Sequence, residues 1–372
     1  MTVLEDPSRV DDEALRADRR GRLFAAMGDA GLDALVLGRP AEVAFASGAR
    51  QLWTAGSRPF GPACVAVRST GRVHLLSVWD EDVPPEVGHD DLYGLSWNPA
   101  TIAASLAAIP GLRNARRLGT TSSSPGFPRL LAAAAPDAEV VDGGPALRTA
   151  RGPKSAAEVD RIAAATGIAR TALAAMEAAL RPGVTERDLL AAYLAAIAAA
   201  GAPTPPTEGV ACATPATGPV ALRRIAAAVP IEAGQLVALD PGGFFRGYEG
   251  GLGRTRAAGG APSRRQAELA ARCREAVGAV VAACWPGATG SDLVAAWEHS
   301  GAPLPPEPLA VGVGLGLEPP VVGAGLGAAA VLAAGTVLAV TGWMAEEGAG
   351  GVLHRDLVLV TEAEPRLLTE DA

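Results

Sequence analysis

Lysine is almost absent from this chain, and histidine and aromatic residues are scarce. Lys154 is the only lysine among 32 basic residues, there are four histidines, and aromatic residues make up 4% of the sequence. A single lysine outside a GxxxxGK[ST] motif excludes a P-loop for nucleotide phosphates. His74, His89 and His299 form no pair with the spacing of metal ligands, so we interpret each of them as structural.

Long apolar runs, clustered basic residues and CxxC motifs are also missing. No stretch of about 20 residues is free of charges, Pro and Gly, and the acidic start lacks a signal-peptide core. The net charge of −8, without a basic stripe, argues against binding to nucleic acid. Four cysteines without CxxC spacing are typical of reduced thiols. We therefore expect a cytoplasmic protein that contacts neither membranes nor nucleic acid.

The 372 residues are enough for two domains, and the first one alternates helices with strands. A charged helix over 11–30 leads into the buried strand GLDALVLG, and Thr70-Gly71 predicts a hairpin turn between two further strands. The aperiodic stretch 143–153 indicates a boundary, and Ser155 with Glu158 forms a capping box that begins a long helix. We therefore expect an α/β domain over 1–148 and a second domain over 149–372.

The second domain contains an internal duplication. RPGVTERDLLAAYLAAIAAAGA, from position 181, matches WPGATGSDLVAAWEHSGA, from position 285, and GQLVALD, from 234, matches GTVLAVT, from 335. Each copy predicts a pair of helices followed by a strand hairpin, and two copies would form one curved sheet backed by helices. The duplication places Asp240 and Thr341 at equivalent strand ends. The predicted fold class of the whole chain is α+β.

Five segments of this domain follow the order and spacing of a known family. They are LVALDPGG (236–243), GYEGGLGRT (247–255), VGVGLGLEPP (311–320), TVLAVTGW (336–343) and GGVLHRDLVLVTE (350–362). They resemble the pita-bread family of methionine aminopeptidase, Xaa-Pro aminopeptidase, prolidase and creatinase. The first half resembles the N-terminal domain of creatinase and prolidase, which implies a strand that ends in the small-residue turn 44–48. The resemblance implies a creatinase-like domain, a pita-bread domain and a homodimer, and it assigns Lys154 to an interdomain KSxxE motif rather than to a Schiff base.

The metal ligands of that family are mostly replaced in this chain. The family's Asp, Asp, His, Glu and Glu match, in order, Asp240, Gly251, Val311, Thr341 and Arg355. A pair of dications needs several carboxylates, and Arg355 would bring a fixed positive charge to a ligand position. We therefore expect no metal and no other cofactor.

The candidate catalytic residues are Glu318, Asp240 and Arg355. A carboxylate in an apolar cleft has a raised pKa, which suits Glu318 to acid–base work, although a strand-end carboxylate bound to backbone N–H groups explains it equally well. Arg355 is expected to point inward, paired with Asp240 or holding a substrate anion. The candidate substrate-binding residues are Tyr248, Glu249, Arg254, Thr341, Trp343, Cys212 and His354.

Some of these candidates have a structural alternative. Because side chains alternate along a strand, an inward Arg355 leaves His354 facing outward. Arg254 is equally consistent with a supporting salt bridge, and Cys212 with a small core residue.

The family's acid–base histidines are missing as well, since 209–224 contains no histidine. Our leading hypothesis is a metal-independent enzyme for a small polar molecule, acting as a C–N bond hydrolase or lyase or in a cyclisation or elimination step. The alternative is a pseudoenzyme or binding module, and the third possibility is an Xaa-Pro metallopeptidase. An open cavity lined by Asp240, Glu318 and Arg355 favours the enzyme, whereas a cavity filled by side chains favours the binding module.

Overall fold

The computed structural model describes residues 9–49, 64–77, 83–94, 98–121, 127–202, 204–206, 209–215 and 218–370. The chain divides into two compact units, Met1–Arg151 and Gly152–Ala372. No helix in the described ranges is long and apolar enough to cross a membrane.

The N-terminal unit is built on one mixed sheet. Its elements are α1 (Arg9–Asp29), β1 (Ala34–Leu37), α2 (Pro40–Ser47), β2 (Cys64–Val67), β3 (Arg72–Ser77), β4 (Leu92–Gly94), α3 (Pro99–Ala108), β5 (Arg117–Thr120), α4 (Phe127–Ala134), β6 (Glu139–Asp142) and α5 (Gly144–Arg151). The six strands lie in the order β4-β3-β2-β1-β5-β6, with β1 antiparallel to β2 and parallel to β5. The predicted hairpin is β2–β3, and Gly71 adopts a positive φ of 65° in its turn.

Two local predictions in this unit are wrong. The segment 44–48, expected to end a strand, belongs to α2, which has Pro40 in its first turn and the left-handed Gly48 as its C-cap. The stretch 143–153, expected to be aperiodic, is mostly α5. Ala146, Leu147 and Ala150 are buried on that helix, which packs against α1.

The C-terminal unit contains two copies of one arrangement of helices and strands. The first copy comprises α6 (Ala156–Ala179), α7 (Glu186–Ala199), β7 (Val210–Thr214), β8 (Leu236–Asp240), β9 (Gly242–Phe245), β10 (Tyr248–Gly251) and β11 (Arg254–Ala257). The second comprises α8 (Arg264–Ala282), α9 (Gly290–Glu298), β12 (Ala310–Gly314), β13 (Gly316–Val322), β14 (Val337–Glu346), β15 (Gly350–Leu359) and β16 (Arg366–Leu367). The N-caps Thr185 and Thr289 have the same backbone angles, φ −101° and ψ 163°, and each forms a capping box with an aspartate.

The strands of this unit form three hydrogen-bonded sets. Their orders are β11-β8-β7, β13-β12-β14-β15-β16 and the hairpin β9-β10. A backbone bridge between Gly253 and Arg355 joins the first copy to the second. Asp240 ends β8 as expected, but Thr341 does not end a strand. Instead β14 continues to Glu346, because it pairs with β15 over its whole length.

Each copy packs its own helices on its own strands. In the first, Leu173 and Tyr193 of the helices share an apolar core with Val237 and Leu239 of β8. In the second, the helices α8 and α9 cover the equivalent strand β14 through a core that includes Trp297. Helices of each copy therefore cover β8 and β14, the strands that carry the matched positions 240 and 341.

Candidate functional site

Arg355 lies at the centre of the site and contacts three acceptors. Its Nη1 is 2.6 Å from Asp240 Oδ2, its Nε donates to Thr341 Oγ1 at 2.8 Å, and its Nη2 donates to Glu307 Oε2 at 3.0 Å. Thr341 faces Arg355 directly in the β14–β15 register. The predicted pairing of Arg355 with Asp240 is confirmed. Arg355, Asp240 and Thr341, three of the five residues at positions that match metal ligands, are therefore in contact.

Asp240 is deeply buried beside this guanidinium. Burial raises the pKa of Asp240 to about 6, against the attraction of Arg355. Its Oδ2 is paired, whereas its Oδ1 has no hydrogen-bond partner among the described residues. A side chain at Gly253 would approach Oδ1 and would overlap Leu353, so glycine at that position leaves room for the carboxylate.

The Arg355 cluster comprises Arg355, Asp240, Thr341, Glu307 and Arg224, and the sequence did not indicate the last two. Glu307 Oε1 is 2.9 Å from Arg224 Nη2, so Glu307 bridges Arg224 and Arg355. Both Glu307 and Arg224 lie on irregular segments outside the five matching segments. The signal available for Glu307 was a lone carboxylate between two prolines, Pro306 and Pro308.

Glu318 belongs to a second cluster. It is buried on β13 and forms an ion pair with Lys154, whose Nζ also donates to the Gly152 carbonyl at 2.9 Å. Glu318 was expected as an acid–base carboxylate in an apolar cleft, whereas in the structure the charge of Lys154, the only lysine of the chain, balances its own. The charged groups that act most strongly on Asp240 are Arg355, Glu307 and Arg224.

Glu249 lies next to Glu318 and has a raised pKa. Burial, followed by the charge of Glu318, raises the pKa of Glu249 to about 7. On β10 the Tyr248 hydroxyl donates to Glu158 of α6 at 3.0 Å, and Gly250 lies against the α6 backbone. Because side chains alternate along a strand, Glu249 and Gly251 project from the opposite face. Tyr248 and Glu249 therefore do not line one surface.

Arg254 and His354 belong to a third cluster around Asp356. Arg254 Nη2 donates to Asp356 Oδ1 at 2.9 Å, and His354 Nε2 lies 2.9 Å from Asp356 Oδ2. Burial alone would raise the pKa of Asp356, but the hydrogen bond from His354 and the charge of Arg254 hold it well below its usual range. His354 and Asp356 lie on the face of β15 opposite the Arg355 side chain. Arg254 Nη1 contacts Arg355 at its backbone carbonyl, at 2.8 Å, rather than at its guanidinium.

Cys212 and Trp343 lie in an apolar cluster rather than at a polar surface. They pack with Val210, Ala238 and Leu353. Burial raises the pKa of the Cys212 thiol, which keeps the reactive thiolate scarce. Of the seven candidate substrate-binding residues, the structure places only Thr341 in the Arg355 cluster and only Glu249 beside Glu318.

Comparisons with known proteins now identify the family. Residues 160–362, more than half of the chain, match the model of metallopeptidase family M24, and residues 19–152 match the creatinase/prolidase N-terminal domain. The chain belongs to metallopeptidase family M24. No curated protein matches it by sequence.

Solved structures of a prolidase and of dipeptidases share its fold. A prolidase from Pyrococcus horikoshii OT3 is 23% identical, with a TM-score of 0.77 over 95% of this chain and 98% of that chain. An Xaa-Pro dipeptidase from Bacillus anthracis is 21% identical, with a TM-score of 0.78 over 96% and 98%. A dipeptidase from Mycobacterium ulcerans is 24% identical, with a TM-score of 0.77 over 96% of both chains. At these identities the likeness shows the fold.

The residues at the M24 metal positions do not fit two metal ions. Gly251 and Val311 offer no donor atoms, the Thr341 hydroxyl accepts from Arg355, and Arg355 itself is cationic. Asp240 is the one carboxylate at the five positions. Across the described part of the chain, no group of three or more His, Cys, Asp or Glu residues could hold a metal.

Two cavities of the C-terminal unit lie away from the clusters around Arg355, Glu318 and Asp356. One, of about 550 Å³, is lined by residues of α8, α9 and β14, including Arg272, His299 and Met344. The other, of about 430 Å³, includes Val220 and Glu347. Neither is lined by Asp240, Glu318 or Arg355.

Proposed function

We propose that this M24 chain is a metal-independent enzyme for a small polar molecule, acting as a C–N bond hydrolase or lyase or in a related cyclisation or elimination step. The observation that supports it is the Arg355 guanidinium in contact with Asp240 and Thr341. A dication within about 4 Å of that guanidinium would be repelled, and the one carboxylate at the five metal positions cannot offset two dications and an arginine.

Proton transfer in this proposal belongs to Glu249. Its side chain is partly buried on the face of β10 that carries Gly251, and the Lys154–Glu318 ion pair is its neighbour. A carboxyl with a pKa near 7 can donate and accept a proton at neutral pH, which suits a general acid–base group.

The role of Glu249 can be tested without a known substrate. Infrared difference titration of the purified protein should show a carboxyl that titrates near pH 7 and is absent from Glu249→Gln. Glu318→Gln should lower that pKa, because the negative charge beside Glu249 is removed. Glu177→Gln, at a half-exposed residue paired with Arg256, is the matched control and should leave it unchanged. A Glu249 carboxyl titrating near pH 4 would contradict the proposed role.

A binding module without catalysis is the second candidate. Asp240 and Glu318 are both buried and both already paired with cationic side chains, which suits a cavity filled by the chain's own groups. The same contacts suit an enzyme only if a ligand replaces one of the internal partners. The third possibility, an Xaa-Pro metallopeptidase, draws on the names of the structural relatives.

Metal content separates the proposal from the metallopeptidase. Protein incubated with Mn²⁺, Co²⁺ or Zn²⁺ and desalted should carry far less than one equivalent of metal in elemental analysis, and it should not release amino acids from Xaa-Pro dipeptides.

Arg355→Glu alone should not restore metal binding, since three other ligands are absent. The matched positive control adds Gly251→Asp, Val311→His and Thr341→Glu, and a Cβ at position 251 meets only ordinary contacts. Two bound metals or chelator-sensitive turnover in the natural protein would overturn the proposal.

The proposal includes a cytoplasmic homodimer. Among the described residues the four cysteines are buried and unbridged, which suits a reducing compartment. The family resemblance supports the dimer, whose test is argued in the Discussion.

A further inference from the structure

The carboxylate of Glu307 lies between two guanidinium groups. Its Oε1 is 2.9 Å from Arg224 Nη2 and its Oε2 is 3.0 Å from Arg355 Nη2, so each oxygen is held by a different arginine. Charge-assisted bonds of this kind are how proteins recognise a planar carboxylate on a ligand. Glu307 therefore has the surroundings of a bound carboxylate, although it belongs to the chain itself.

The charges of the cluster balance only while that carboxylate is present. Asp240 and Glu307 are acidic, Arg224 and Arg355 are basic, and these four groups act on one another. Without the Glu307 carboxylate, the cluster would hold one positive charge in excess. A single monoanionic carboxylate from another molecule would restore the balance.

The cluster reaches from the interior towards solvent. The side chains of Glu307, Arg355 and Arg224 are 11%, 20% and 51% exposed, in that order. Glu307 lies on the proline-rich segment between α9 and β12, and Arg224 lies on the segment between β7 and β8. Neither is fixed by a strand ladder, so Glu307 can leave the arginines without breaking a sheet.

We propose that Arg224 and Arg355 form the binding site for a carboxylate group of the small-molecule ligand, and that Glu307 fills this site in the free protein. The inference rests on the proposed function, because it names the chemical class of the molecule taken by the same site. Asp240 Oδ1, which has no partner among the described residues, is the acceptor left for a hydrogen-bond donor on that ligand. An incoming carboxylate exchanges places with Glu307 and keeps the Arg355–Asp240 pair intact.

Acetate is a suitable probe, because it carries the carboxylate and little else. Glu307→Ala should show a saturable rise in melting temperature on titration with sodium acetate, against sodium chloride at equal ionic strength. Its acetate affinity should exceed that of the natural protein by at least about tenfold, since no internal carboxylate competes. Glu307→Ala combined with Arg224→Ala should lose this effect.

Glu346→Ala is the matched control, because Glu346 also pairs with two arginines, Arg265 and Arg272, but on the exposed surface. Acetate should not stabilise that variant. An equal shift in both variants, or no shift in Glu307→Ala, would overturn the inference. If Glu307→Ala fails to fold, Glu307→Gln keeps the shape and removes the charge, and acetate binding is then read by calorimetry. The readout needs neither turnover nor metal, so its failure is distinguishable from failure of the proposed function.

Discussion

At the scale of single residues, two opposing effects act on the charged form of Asp240. Taking Asp240 out of water disfavours its charged form, and the adjacent guanidinium favours it. Burial is the larger effect, because the pKa of Asp240 rises to about 6 rather than falling below its ordinary value of about 3.9. The stabilisation that Asp240 gives in its neutral form is present below pH 4 and is lost as the pH rises through about 6.

We expect Arg355→Ala to destabilise the protein in a pH-dependent way. At pH 8 it leaves a charged Asp240 buried and unpaired, at a cost of about 3–5 kcal/mol in the free energy of unfolding. At pH 5 Asp240 is mostly protonated, so the loss should be much smaller. Denaturant titrations at the two pH values measure the difference. Arg256→Ala, which breaks a half-exposed pair with Glu177, should cost about 0–1 kcal/mol at both. An equal loss for Arg355→Ala at pH 5 and pH 8 would refute this account.

The sequence was sufficient to predict the Asp240–Arg355 pair but not the other partners. The family resemblance implied an inward Arg355, alternation along β15 then placed His354 on the other face, and the duplication placed Asp240 and Thr341 on equivalent strands. Glu307 and Arg224 lie on irregular segments, where no periodicity indicates which way a side chain points. Their roles depend on how two distant loops meet, and that information is in the tertiary structure.

At the scale of elements, helix α6 decides which face of the β9–β10 hairpin is available for chemistry. A Cβ at Gly243 would lie 1.9 Å from the Ala165 carbonyl oxygen, and one at Gly250 would lie 2.4 Å from the Thr166 backbone nitrogen. Only glycine permits this approach, so one face of the hairpin is closed by the helix. Glu249 and Gly251 are left on the other face, which carries the matched metal position.

Local signals predicted some elements well and others poorly. The capping box of Ser155 and Glu158 begins α6 as expected, and the Thr70-Gly71 turn joins β2 to β3, because each signal acts within a few residues. The helix α2 was missed because its small and apolar residues suit a buried strand equally well. The helix α5 was missed because its glycine and proline indicate a linker, whereas its apolar side packs on α1.

At the scale of the whole molecule, the duplication explains how a metal site can be replaced without loss of the fold. The helices and capping boxes of the two copies hold β8 and β14, and none of these contacts depends on a metal ligand. Hydrophobic packing supplies most of the stability of such a domain, so its central polar residues can be exchanged as a group. Under the proposed function, the Arg355 cluster is such an exchange, with side-chain cations in place of metal ions.

The last prediction concerns self-association of the whole chain. Several large apolar side chains of the C-terminal unit are exposed, among them Ile225 next to Arg224 and Leu317 next to Glu318. Exposed apolar groups beside a functional cluster favour a contact with another protein surface, and the family resemblance implies a second copy of this chain. Sedimentation at micromolar concentration should therefore give twice the chain mass of 37.4 kDa.

Introducing charges on the exposed surface tests whether these side chains form the dimer contact. Ile225→Glu combined with Leu317→Glu should shift the protein towards the monomer, because two carboxylates would have to be buried without partners. Leu194→Glu, at an exposed apolar residue of α7, is the matched control and should leave the dimer intact. A natural protein that sediments as a monomer at micromolar concentration would contradict the dimer. A dimer unaffected by the double variant would place its contact on another surface, away from the Arg355 and Glu318 clusters.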